Sequence, residues 1–152
     1  MSETLTGKLK LKLEAKILEE TARDLAFSFK HIGNNVYQIG GYFECHLNTN
    51  EILYPDYKIS LYEQFLELYT FNYIADKLKN FGPKINKEKR EIWVPINNGM
   101  VAIKIQGESI FVDALGYRGD ACSEAINIII DRLSLAAEKR EKKRLDEKME
   151  GL

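Results

Sequence analysis

The residue pattern predicts an α+β fold, an antiparallel sheet with helices packed mainly on one face. Three observations carry this. Period-two alternation runs from Thr6 to Leu13, and strand-like apolar runs occupy Glu91 to Pro95 and Met100 to Ile105. Three other segments, starting near Glu14, Ser60 and Asp120, repeat apolar residues at three- and four-residue steps. Asn97-Asn98-Gly99 lies between two apolar runs, the strongest short-range hairpin signal. The order is strand, helix, two or three strands, helix, three strands, helix. It can be read as two β-α-β-β-like halves, although no residue-level repeat accompanies it.

In Thr6 to Leu13, Lys8, Lys10 and Lys12 alternate with Leu9, Leu11 and Leu13. This predicts an edge strand with one wet face, kept soluble by lysine. A helix over Glu14 to Lys30 follows from the stripe Ala15, Leu18, Ala22, Leu25 and Phe29. Gly33-Asn34-Asn35 turns the chain into strand-like Val36 to Leu47, with Gly40-Gly41 as a hairpin or bulge. Glu51 to Ile59 reads as a strand that Pro55 restricts to an edge or breaks. Ser60 and Glu63 have capping-box spacing at the start of a helix reaching about Asn80, which Phe81-Gly82-Pro83 stops. Gln106-Gly107-Glu108 continues the meander into Ser109 to Leu115. The last helix carries Cys122, Ala125, Ile129, Leu133 and Ala136 on one stripe. The expected organisation is an N-terminal α+β lobe over 1–106, a strand-turn-helix over 107–137 completing the same globule, and a charged tail over 138–152.

The chain has 152 residues, 45% hydrophobic and 30% charged, enough to bury a core without a disulfide or metal. A net charge of −1 argues against nucleic acid as the main partner. Two cysteines without a C-x-x-C do not form a disulfide framework, and no bilayer-length apolar run is present. With no secretory signal visible at the N-terminus, a reducing cytoplasm is the expected location.

Two surfaces stand out as candidate sites. On the central helix, Tyr62, Leu66, Tyr69 and Tyr73 form a second apolar stripe beside Leu61, Phe65, Leu68, Ala75 and Leu78. Tyrosine suits interfaces because it is amphipathic and loses little entropy on contact. The stripe can serve a partner protein, a second copy of the chain, or a twisted sheet of the same molecule. The other candidate is the turn at Gly116, Arg118, Gly119, Asp120 and Cys122, between a strand and a helix start. Helix N-termini favour anions, and Arg118 can close over a phosphate, so a small anion or nucleotide is the alternative ligand. Asp120 is expected to cap that helix and compete for the same position. Cys122 falls on the buried stripe, where cysteine packs as a small hydrophobe. Glu44-Cys45-His46, with His31, Asp56 and Cys122, has no zinc-like spacing, so neither a metal nor a cofactor is expected. No P-loop, nucleophile elbow or H-E-x-x-H occurs, so no catalytic residue is assigned.

The run Gly116-x-x-Gly119-x-x-Cys122-x-Glu124-Ala125, after Val112, resembles a short domain family of unknown function. Leu5 to about Ile105 is similar to the conserved hypothetical chloroplast and cyanobacterial reading-frame family. That similarity lies in the amphipathic first strand and helix, and in the aromatic helix from Tyr62 to Ala75, followed by Phe81-Gly82 and a hairpin. The asparagine/glutamine-arginine-tyrosine run of that family's helix is absent. The two resemblances imply a fusion of domains that bacteria and phages encode as neighbours, and a small α+β fold. They imply no activity. The aromatic stripe, with no catalytic motif beside it, leads to the expectation of a non-enzymatic cytoplasmic binding or adaptor protein.

Overall fold

A computed structural model describes residues 4–8 and 11–133, with the side chain of Lys8 outside it. The fold is α+β, with two antiparallel sheets in place of the single sheet expected. The chain divides into two compact units, 1–73 with 105–109, and 74–104 with 110–152. The charged tail expected over 138–152 lies outside the described residues, as do Leu9, Lys10 and Ala136.

The first unit holds a five-stranded sheet of β1 (Thr4–Lys8), β2 (Phe29–Gly33), β3 (Val36–Ile39), β4 (Phe43–His46) and β5 (Glu51–Pro55), in the order β1-β5-β4-β3-β2. β1 is an edge of the sheet and ends at Lys8, well short of the Leu13 that the lysine–leucine alternation implied. Beyond it, two buried side chains take the backbone groups that a longer strand would pair. Asn50 accepts from the Leu13 N–H at 2.6 Å and donates to the Leu11 carbonyl at 2.7 Å. Tyr69 accepts from the Glu14 N–H at 2.8 Å and donates to the Lys12 carbonyl at 2.7 Å. β5 is interior, and Pro55 is tolerated because it ends the strand, past the last residue paired with β4.

Helix α1 (Ala15–Asp24) buries Ile17, Leu18, Thr21 and Ala22. It is shorter than the stripe through Phe29 implied, since Ala26 turns left-handed (φ 58°) and releases the chain into β2. Helix α2 (Ile59–Lys77) follows a 3-10 turn over Asp56–Lys58, so Ser60 lies within helical structure and is not the cap. Seven consecutive residues of α2, 68–74, are buried, which a helix apolar on all sides permits. Asn72 is carried inside by two donor bonds, to Thr21 Oγ1 at 3.1 Å and Asp24 Oδ2 at 3.0 Å. Gly82, left-handed at φ 70°, ends the following 3-10 turn.

The second sheet runs β6 (Lys84–Asn86), β7 (Glu91–Ile96), β8 (Gly99–Gln106), β9 (Ser109–Leu115) in chain order. Ile92, Val94, Ile96, Val101, Ile103 and Ile105 are buried on one face. The β7–β8 turn centres on Asn97 and Asn98, at φ 50° and 60°, so Gly99 is already in the strand. Both central residues at positive φ match the twist of the flanking strands. Helix α3 starts at Asp120, runs through the last described residue, 133, and buries Ala125 and Ile129. No described helix is long and apolar enough to cross a membrane.

Candidate functional site

The tyrosine stripe is core, which corrects its reading as a partner surface. Tyr62, Leu66, Tyr69 and Tyr73 are exposed by only 7%, 5%, 0% and 1%. Tyr62 stacks on Tyr54 with ring centroids 3.8 Å apart, and its hydroxyl occupies the space where Gly7 lacks a side chain. Tyr69 holds the backbone of Lys12 and Glu14, and its ring neighbours Phe65 and Tyr73. Burial raises the phenol pKa of both Tyr62 and Tyr69, as expected of hydroxyls withdrawn from water. Both stripes of α2 are largely buried, with only Leu61 and Ala75 half-buried, so neither is spare.

The Gly116 to Cys122 turn is built as a structural corner. Gly116 and Gly119 adopt φ of 83° and 58°. Tyr117 donates to the Ile96 carbonyl, and its ring lies over Gly99, where an added Cβ would come within 2.4 Å. The N–H groups of Ala121 and Cys122 bond the carbonyls of Arg118 and Gly119, both at 3.3 Å. Those are donors that an anion would require. Asp120 is the first helical residue, not the residue before it, so it does not hold the cap position expected. Its exposed carboxylate adds negative charge to the same turn, and Arg118 is exposed. Cys122 is half-buried on the stripe with Ala125 and Ile129.

Cys45 is fully buried on β4, and burial, with Glu44 beside it, pushes its thiol up to about 12. It is therefore a protonated packing residue at neutral pH. His46 points the other way along the strand, with Nε2 3.6 Å from Glu44 Oε2. No group of three metal-ligating side chains occurs among the described residues.

The outward face of the second sheet has the composition of a binding groove. Because Ile92, Val94 and Ile96 face inward, Trp93 must face outward with Glu91. On β8 the same alternation turns Ala102 and Lys104 outward, and the register sets Trp93 opposite Ala102 and Glu91 opposite Lys104. On β9, Phe111 and Asp113 are exposed, Phe111 by 55%. These six residues line a groove of about 200 Å³. Its floor is the small Ala102, and its apolar walls are Trp93 and Phe111. The Trp93 indole N–H reaches Glu91 Oε2 at 3.5 Å, a weak contact. Lys104 and Asp113 make no hydrogen bond or ion pair among the described residues.

β9 itself is an unguarded edge. It has seven residues, no proline, no lysine and a single charge, Asp113. Among the described residues it is paired only with β8. Phe111 and Leu115, the latter 41% exposed, lie on the groove side of the strand. Proteins ordinarily blunt such edges with charge, proline or a bulge. The sequence reading did not assign Trp93, Phe111 or Asp113 to a site. The signal was present: alternation in Glu91–Ile96 and Ser109–Leu115 sets an aromatic residue opposite a buried row in β7 and a half-buried row in β9. No family model matches the chain, and neither does any curated protein or solved structure.

Proposed function

We propose that this protein is a non-enzymatic binding module that receives an extended segment of a partner protein as a strand added along β9. The observation that carries the reading is the seven-residue β9, the last strand of its sheet among the described residues, whose Phe111 and Asp113 also line the groove with Trp93. Strand addition uses main-chain hydrogen bonds for affinity and pockets for alternate side chains for selectivity. β9 supplies the first, and Phe111 and Leu115, exposed on it, supply apolar surface for the second.

Trp93 is the only tryptophan, so its emission reports on the groove without labelling. The test is titration with heptapeptides of alternating valine and threonine, followed by Trp93 emission. A matched set carries N-methyl groups on alternate backbone nitrogens, which removes strand pairing but keeps every side chain. The expected result is a saturable emission change with the unmodified peptides and none with the set methylated on the pairing side. Equal binding by both methylated sets and the parent would overturn strand addition. A concentration-dependent mass increase of the protein alone, abolished by Phe111→Ser, would assign the edge to a second copy instead.

A further inference from the structure

The groove lies over β8, between β7 and β9, on the outward face of the second sheet. Its walls rise from strands two spacings apart, roughly 9–10 Å between backbones. The small Ala102 leaves a slot along β8 instead of a ridge. At about 200 Å³ it is below the roughly 300–1,000 Å³ that encloses a drug-sized ligand, so it suits one small ring. Its three charged residues alternate in sign across the sheet: Glu91 on β7, Lys104 on β8 and Asp113 on β9. Lys104 and Asp113 make no hydrogen bond or ion pair among the described residues. The Glu91 carboxylate receives the Trp93 indole N–H at 3.5 Å, a weak contact that leaves it capacity for further donors. We infer that the groove binds a neutral saccharide ring, with its C–H face on the Trp93 indole and its hydroxyls on Asp113, Lys104 and Glu91.

The alternating charge decides the ligand class. A cation meets Lys104, and an anion meets two carboxylates. A wholly apolar group would strip water from Lys104 and Asp113 and return no hydrogen bond. A hydroxyl both donates and accepts. One edge of a sugar ring therefore serves a carboxylate, which only accepts, and an ammonium, which only donates. The flat side of the same ring presents C–H groups. The face of an indole carries the negative side of its quadrupole and attracts such weakly positive hydrogens. Phe111, 55% exposed on the opposite wall, offers a second aromatic face to the next ring of a chain. The site uses the face of the sheet and requires nothing of the free edge of β9, so it holds or fails independently of strand addition.

The experiment titrates the full-length protein with neutral mono- to tetrasaccharides of hexoses, N-acetylhexosamines and pentoses, read by Trp93 emission and by calorimetry. At least one series is expected to bind saturably, and more tightly with two rings than with one. Affinity should change by less than about twofold between low salt and 1 M salt, where the Debye length is about 3 Å, because the ligand is uncharged. By calorimetry, Trp93→Ala should weaken binding on the order of tenfold, and Trp93→Phe should keep most of it. Asp113→Leu should also weaken it on the order of tenfold, with Asp113→Asn, which still accepts, between that variant and the parent. Ala102→Phe fills the slot from the outward face and should abolish binding with the circular dichroism spectrum unchanged. Absence of binding by every saccharide at millimolar concentration overturns the inference. So does saccharide binding that survives Ala102→Phe in the folded protein, or a salt-sensitive response to free norleucine or glutamate that exceeds that to every saccharide.

Discussion

Tyr69→Phe is the most direct perturbation of the central helix. The substitution keeps the ring and deletes one hydroxyl. That hydroxyl accepts from the Glu14 N–H at 2.8 Å and donates to the Lys12 carbonyl at 2.7 Å. Leaving a buried backbone group without its partner costs about 1–3 kcal/mol. Both groups here are only part-buried, so the lower half applies to each, for a total of about 2–4 kcal/mol. For a chain of this length that is a fall in Tm on the order of 10 °C. Urea unfolding followed by circular dichroism should show a lower midpoint with an unchanged slope. Amide exchange at Glu14 should accelerate in step. Tyr57→Phe is the control, since Tyr57 is 67% exposed, and should change nothing. If Tyr69→Phe shifts stability by less than about 0.5 kcal/mol, the range of ordinary surface changes, the clamp is not a stabilising element.

Three further outcomes are expected. Gly99→Ala should destabilise by about 1–3 kcal/mol, because its Cβ meets the Tyr117 ring at 2.4 Å. A double-mutant cycle with Tyr117→Ala, read by thermal unfolding, should show strong coupling, and additive effects would contradict that packing. Stability should fall as pH rises from 9 to about 12. Burial raises the Cys45 pKa from 9.0 to about 12, so the native thiol keeps a proton that the unfolded chain has lost. The Cys45 contribution is complete below pH 9 and gone above about 12; Cys45→Ala should give a shallower decline in alkaline urea titrations, and an identical slope would reject the assignment. Millimolar phosphate should raise the Tm by less than about 1 °C, because saturating ligand at a genuine site stabilises by kilocalories. A larger rise, lost in Arg118→Ala, would restore the Gly116–Gly119 turn as an anion site.

The sequence made regular alternation and turn chemistry readable, and left tertiary competition for the backbone out of view. Lys8 to Leu13 keeps a strand pattern, yet Asn50 and Tyr69, 37 to 57 residues away, take the backbone of Leu11 to Glu14 instead. The α1 stripe through Leu25 and Phe29 has helical spacing, and only the left-handed turn at Ala26 ends it. The two stripes of α2 were readable, but that neither is spare was not. Burial depends on what surrounds a helix, and amphipathicity alone does not report it. Asn97-Asn98-Gly99 marked its hairpin correctly, while the reason for glycine at 99 lies 18 positions on, in the Tyr117 ring. Trp93 was readable as outward-facing once Ile92 and Val94 were taken as core. Its meeting with Phe111 required the order of the second sheet.

The clamp on residues 11–14 also sets a timetable for folding. As the chain leaves the ribosome, Leu11 to Glu14 appears well before Asn50, and earlier still than Tyr69. β1 waits similarly, since Thr4 pairs with Pro55 and Lys8 with Glu51. Closing such loops carries an entropic cost that local elements avoid, and non-local pairing slows folding. The hairpin of β3 and β4, whose paired residues lie close in sequence, can form without that delay. The N-terminal segment thus joins the structure late, and until then the lysines that alternate with leucines in its sequence favour water over collapse.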